Sequence, residues 1–246
     1  MKIDKAIWAS SVEYSDFWNI NSYIHNKYLG MDCVLLLYGN KDECDVSEEY
    51  GKVIEIPFVE HLPKIPQLIF NKWYYTKNEP NTTWLIGDID QLPLQKSHFV
   101  DGIADIPEDH YVHLAEDAGT HLGLDFLVGH YHVGMGSTIC EALELDKSFD
   151  FHVNNLVDEA LRNKRPIWAY EEPYTTNMIR RNYGHKFTGL SRVNDRKICR
   201  STQCKFDPSR IESEYYVDFH CPRPFKENSS KINEIINIFW GRKSNI

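Results

Sequence analysis

Thr82-Thr83-Trp84-Leu85-Ile86-Gly87-Asp88-Ile89-Asp90-Gln91-Leu92-Pro93-Leu94 is the stretch that decides the fold. Thr83 to Ile86 is β-branched, aromatic and apolar, without a charge. That is the pattern of a strand buried on both faces of a parallel sheet. The run then switches abruptly to two acids. Residues i and i+2 of an extended segment point to one side, so Asp88 and Asp90 face a common place. In open α/β sheets, ligands bind beyond the carboxyl ends of the strands. Two neighbouring carboxylates repel each other and resist desolvation, and a hard divalent cation relieves both costs. The plainer alternative is a solvated turn, because Asp is common in turns.

Working outward, the preceding residues alternate strand and connection, as a parallel sheet requires. Ala6 to Ala9 reads as a strand, with Ser10 and Ser11 as a polar turn able to hydrogen-bond a ligand. Ser15 is placed to cap a helix carrying Phe17, Ile20, Ile24 and Tyr28, and Gly30 to end it. Cys33 to Tyr38 and Val53 to Ile56 read as strands, and Gln67 to Lys77 as a helix. Beyond the acids, His110 to Ala115 and Phe126 to Val133 read as strands, the second ending in Gly134-Met135-Gly136. Ser137 is placed to cap a helix to about Leu145. Val153 to Leu161 has a core-facing stripe. Ile167 to Tyr170 is an aromatic run that delivers Glu171 and Glu172 to a helix over Tyr174 to Arg181. Residues Ser191 to Glu214 are polar and aperiodic and read as a long loop. Tyr215 to Phe219 is a last strand, ending at His220. Ser229 or Ser230 is placed to cap a final helix bearing Ile232, Ile235, Ile236 and Phe239, with a polar, frayed tail from 242 to 246.

Composition excludes several classes. A chain of 246 residues with 42% hydrophobic and 13% aromatic content is globular and suits one large α/β domain. A net charge of −9 without a long basic run argues against a nucleic-acid groove. No run is apolar enough for an integral membrane segment, and the start Met1-Lys2-Ile3-Asp4-Lys5 lacks a signal-peptide core. The 6 scattered Cys suit a reducing compartment, so the expected location is cytoplasmic.

Two late residues add chemistry to the acids. His220, just before Cys221-Pro222-Arg223-Pro224, completes a possible three-ligand set with Asp88 and Asp90. Carboxylate plus imidazole suits Mn²⁺, with Mg²⁺ as the alternative. Open coordination positions would take a diphosphate, and Lys72 and Arg223 would neutralise it.

This order resembles the GT-A glycosyltransferase superfamily: a nucleotide-binding first half, Asp-x-Asp after a buried strand, and a late His. The segment from Val217 to Phe225 is similar to the His-Phe-x-Gly-x-x-Lys-Pro-Trp run of glycogenin-like members, with Arg223 in place of the Lys and a shorter spacing. The resemblance spans about residues 5 to 225. It implies a Rossmann-like, mostly parallel sheet flanked by helices, in a single catalytic domain over 1–246. Residues 1–95 would form the nucleotide-binding half, 96–225 the acceptor-binding half, and 226–246 the terminal helix and tail. It further implies a metal-dependent enzyme using a nucleoside-diphosphate sugar, UDP by family habit, and a glycan or other hydroxyl acceptor. Ala9, Ser10 and Ser11 would lie beside the nucleoside, Ile89 near the ribose, and Gly134 to Gly136 beside a sugar. Glu171 and Glu172 fall where inverting members carry the general base, with Asp117 a lesser candidate. Trp168, Tyr170 and Tyr174 would stack on the acceptor.

Rival readings remain. Glu171 and Glu172 can simply serve the helix dipole. A retaining, glycogenin-like course is open. The Asp pair can also serve a nucleotidyltransferase or phosphohydrolase. Cys199, Cys204, His220 and Cys221 have zinc-ligand chemistry, though without Cys-x-x-Cys spacing. His130 and His132 would share one strand face, more readily as buried structural groups than as a metal site.

Overall fold

The structure, a computed structural model, describes residues 1–241; the expected tail, 242–246, lies outside the described residues. The strands are β1 (Lys5–Ser11), β2 (Asp32–Tyr38), β3 (Lys52–Glu55), β4 (Thr83–Ile86), β5 (Gln91–Pro93), β6 (Tyr111–His113), β7 (His132–Met135), β8 (Phe187–Gly189), β9 (Lys197–Cys199) and β10 (Asp218–His220). The α-helices are α1 (Trp18–Lys27), α2 (Lys64–Tyr75), α3 (Lys96–Phe99), α4 (Gly136–Leu143), α5 (Phe149–Arg162), α6 (Glu171–Tyr183) and α7 (Phe225–Trp240). Seven strands form the main sheet in the order β3-β2-β1-β4-β7-β6-β8, and β5-β10-β9 form a small second sheet. The β1–β2, β2–β3, β1–β4 and β6–β8 pairs are parallel, and β7 runs antiparallel to both β4 and β6. This is the α/β class expected, with a mostly parallel sheet.

Alternation along the strands explains the layers. Ala6, Trp8, Leu35, Leu37 and Leu85 face one core, filled from α1 and α7 by Trp18, Ile24, Ile232 and Phe239. Ile7, Val34, Leu36, Trp84 and Ile86 face the other, filled from α2, α4, α5 and α6 by Phe70, Ile139, Leu156 and Ile179. Both faces of the central strands are covered, so β2 and β4 carry no polar alternation. At Gly87, a Cβ would meet Trp8 Nε1 at 2.6 Å, so the chain leaves β4 in close contact with that indole.

Several boundaries differ from the sequence reading. β1 runs on through Ser10 and Ser11, which pair with Leu37 and Tyr38. Ser15 donates to Val12 O inside a 3-10 turn and caps nothing. Residues 126–131 are not strand; Gly134 lies within β7, opposite Trp84, and Gly136 opens α4 without a Ser137 cap. The helix at Tyr174 begins earlier, at Glu171. α7 begins at Phe225, which puts Ser229 and Ser230 inside it. The stretch 191–214 is not simply a loop: it contributes β9, which pairs in parallel with β10. A buried Arg192–Asp218 ion pair at 2.6 Å anchors it. No helix among the described residues is long and apolar enough to cross a membrane.

Candidate active site

Asp88 and Asp90 occupy the turn leaving β4. Because β7 is antiparallel to β4, with Ile86 opposite His132, the chain before β7 returns Gly129 and His130 to this same end. The small sheet adds a third contributor: β10 pairs with β5 in the register His220↔Gln91, so His220 returns beside Asp90. Helices α2 and α6 supply Lys72 and the two glutamates. Local sequence made the turn acidic, and topology furnished its partners.

On the Asp88 side, Lys72 Nζ donates to Asp88 Oδ1 at 2.8 Å and to Gly129 O at 3.0 Å. His130 Nδ1 lies 3.6 Å from Asp88 Oδ2. Burial alone would push the Asp88 carboxyl up, but Lys72 and His130 hold it well below the usual range. Burial would likewise lower Lys72; the charges of Asp88, Glu171 and Glu172 outweigh it and keep the ammonium protonated.

Glu171 is buried at the first turn of α6, where Trp73 Nε1 donates to its Oε1 at 2.6 Å. Burial, opposed by Lys72 and reinforced by Asp88 and Glu172, raises its pKa to about 7. Glu172 accepts from Gly129 N at 2.8 Å and is also raised, chiefly by burial. A Cβ on Gly129 would meet Glu171 Oε2 at 2.8 Å, so the chain runs close against this carboxylate. Trp73 packs edge-on against His132 at 4.6 Å between centroids. His132 Nε2 donates to Val128 O, which leaves Nδ1 to accept from Tyr111 at 3.1 Å. The indole that holds Glu171 is therefore itself held.

On the Asp90 side, one oxygen gathers every partner. Asp90 Oδ2 accepts from Arg223 Nε at 2.7 Å and Arg200 Nη1 at 3.1 Å, and His220 Nε2 lies 3.2 Å away. Burial raises this carboxyl, but His220 and Arg223 outweigh it and the net direction is down. Asp90 Oδ1 is buried without a hydrogen-bond partner among the described residues. An orphaned carboxylate oxygen beside an imidazole is the donor chemistry a hard divalent cation takes, so Asp88, Asp90 and His220 fit such an ion in kind. They are not gathered as a ready cage: among the described residues, no three His, Cys, Asp or Glu side chains form a metal cluster. Asp88 is drawn towards Lys72, while His220 meets Asp90 and the Cys199 thiol. By the same finding, Cys199, Cys204, His220 and Cys221 are not gathered as a four-ligand zinc cage among the described residues.

Ser10 is buried and donates to Ser11 O, with Ala9 and Ser11 half-buried beside it on β1; Ile89 is buried in the turn, its carbonyl accepting from Asn21. Asp117 accepts from Arg192 N, Val193 N and Ser191 Oγ and so fastens a loop. Tyr170 and Tyr174 are buried, bonded to Asn163 and His152, and offer no stacking face; Trp168 is 67% exposed. Arg200, hidden in an aperiodic polar run, carries no local sequence signal. Nor does any local pattern connect His130 to Asp88.

No family model matches the chain, and no curated protein matches it. Glycosyltransferases are among the solved structures similar to it. The glycosyltransferase GlyE of Streptococcus pneumoniae TIGR4 shares 10% identity at a TM-score of 0.47, over 91% of this chain and 55% of that one. Its apo form gives a TM-score of 0.49 over the same shares. The galactosyltransferase LgtC, in complex with donor and acceptor sugar analogues, shares 9% identity at a TM-score of 0.44, over 89% of this chain and 87% of that one. The chain thus spans about half the length of the pneumococcal protein.

Proposed function

We propose that this chain is a glycosyltransferase that moves a sugar from a nucleoside-diphosphate donor, UDP first among candidates, to a hydroxyl acceptor with inversion. The observation that carries the reading is the meeting of a raised, buried Glu171 with the Asp88–Asp90 turn and its cations at the carboxyl end of the sheet. The glycosyltransferase names of the GlyE and LgtC structures belong to the same class.

The roles follow from the chemistry. Glu171 takes the proton of the acceptor hydroxyl as that oxygen bonds to the anomeric carbon; a base with a pKa of about 7 suits this transfer. The bond from the anomeric carbon to the diphosphate oxygen breaks, and the leaving nucleoside diphosphate carries the electron pair. Arg200, Arg223 and Lys72 stabilise that growing charge from fixed positions. Asp88, Asp90 and His220 would hold Mn²⁺ or Mg²⁺, which supplies Lewis acidity towards the diphosphate when bound. Glu172, tied to Gly129 N, orients the loop beneath Glu171. Ala9, Ser10, Ser11 and Ile89 line the nucleoside side.

Calorimetric titration of UDP, with and without Mn²⁺, tests the reading on wild type and on Asp90→Ala. Mn²⁺-dependent binding that the variant loses supports it. Failure of UDP, GDP and dTDP alike sinks it. A panel of sugar donors then identifies the sugar, and phosphate release without an acceptor would instead mark a phosphohydrolase.

A further inference from the structure

From the last turn of α5 into the connection to α6 the chain reads Leu161-Arg162-Asn163-Lys164-Arg165-Pro166-Ile167-Trp168, and residues 161–166 are exposed in unbroken succession. Leu161 and Trp168 are 66% and 67% exposed. The turn is built rather than slack. Lys164 N and Arg165 N bond back to Leu161 O and Ala160 O, Lys164 takes a φ of 53°, and Asn163 Nδ2 bonds to Glu159 O and Tyr170 Oη. Its base is pinned while its apolar and basic side chains stand in water.

Charge supplies the second observation. Arg162, Lys164 and Arg165 are followed by no acid until Glu171; the acids nearest before them are Asp158 and Glu159. No ion pair among the described residues holds any of the three cations. By contrast, Arg180 and Arg181 on α6 are paired with Asp125 and Glu144. In a chain of net charge −9, this is a local reversal of sign.

We propose that the α5–α6 loop docks on an anionic lipid bilayer. Trp168 and Leu161 enter the boundary between headgroups and acyl chains, and Arg162, Lys164 and Arg165 meet the anionic headgroups. An indole prefers that boundary, being apolar with one polar edge. Cations near an anionic leaflet add attraction that salt screens. A nucleic acid would need more cations than this loop carries. Because the contact is small, binding is reversible. On the transferase reading above, which this consequence alone requires, the bilayer lies three residues from Glu171 and favours an acceptor anchored in the same membrane.

The test is sedimentation of the full chain with vesicles of phosphatidylcholine, alone or mixed with phosphatidylglycerol, at low and high salt. Variants Trp168→Ala and Lys164→Ala/Arg165→Ala alter exposed side chains, and circular dichroism checks their folding. The expected result is binding to the anionic vesicles only, abolished by salt, with roughly fivefold weaker binding per cation removed. Brominated lipid should quench the fluorescence of Trp168 and leave Trp8, Trp18, Trp73, Trp84 and Trp240, all buried, unaffected. Equal binding to neutral vesicles, binding that survives both variants, or no binding overturns the proposal. So does protection of Trp168 by soluble oligosaccharide in place of lipid. None of these readouts uses catalysis, so failure here leaves the transferase reading standing.

Discussion

Asp88 and Asp90 leave the same strand two residues apart, yet they live in different surroundings. The Asp88 side chain is 39% exposed and meets one buried ammonium and, at 3.6 Å, the His130 imidazole, whereas that of Asp90 is 2% exposed and meets two guanidinium groups and an imidazole through a single oxygen. Asp88 belongs electrostatically to the pocket of Glu171 and Glu172, which share the Lys72 charge. Asp90 belongs to the corner made by β9, β10 and the start of α7. The lesson is that a short acidic motif is not one unit. Each carboxylate takes its surroundings from the elements that fold against it, one lying beside two glutamates with raised pKa and the other gathering cations.

That division can be broken experimentally at its strongest point first. Glu171→Gln keeps the shape and the Trp73 hydrogen bond to its oxygen but cannot accept the acceptor proton. Turnover should fall by about 10²- to 10⁴-fold with donor affinity unchanged, read from steady-state kinetics beside calorimetry. In wild type, activity should rise with pH through about 7, because only the ionised Glu171 is a base. A profile flat from pH 5 to 8 would take that role away from it.

Asp90→Ala addresses the other corner. It should weaken nucleoside-diphosphate binding on the order of 100-fold, the loss of a charged contact worth about 3 kcal/mol. The pH midpoint of any residual turnover should stay in place. A midpoint that moves as far as in Asp88 variants would mean the two acids act as one unit after all.

Asp88→Asn should do the reverse of that. It removes a negative charge that raises Glu171 and frees Lys72 to act on it, so the acidic limb moves to lower pH. It also leaves Lys72 buried without its main partner. The expected destabilisation is about 1–3 kcal/mol in urea titration, below the cost for a fully buried pair because Asp88 is partly solvated.

The smallest effect belongs to Trp73→Phe. It retains the ring against His132 and deletes the N–H that stabilises ionised Glu171. The acidic limb should move to higher pH by roughly half a unit to one unit, as expected for one hydrogen bond of about 1 kcal/mol. Opposite shifts in Trp73→Phe and Asp88→Asn would sharpen the assignment of Glu171 more than either alone.

How legible this was depends on how local each signal is. Thr83 to Ile86 was read to the residue as β4, because a strand buried on both faces needs uninterrupted apolar side chains. The stripe on α7 was read correctly, but its start was not. Pro224 and Phe225 begin the helix without a side-chain cap, so the serines drew the boundary too late. β9 went unread because its Lys197-Ile198-Cys199 is too short to show a period; β10 beside it makes it a strand. Lys72, Arg223 and His220 stand out by residue type and position beside the acidic pair, and Glu171 and Glu172 as base candidates only through the family resemblance. Arg200 does not, because in sequence it is one more charge among many.

The sequence by itself determined the α/β class, the acidic turn after a buried strand and the presence of a late histidine and arginine, since each depends on residues within a few positions of one another. Tertiary structure decided what those groups meet. The antiparallel β7 brings Gly129 and His130 to Asp88, β5–β10 pairing brings His220 to Asp90, and α2 places Trp73 against a glutamate 98 residues away. A carboxylate's pKa is set by what surrounds it in space, and chain contacts that distant leave no periodic trace for a local reading to find.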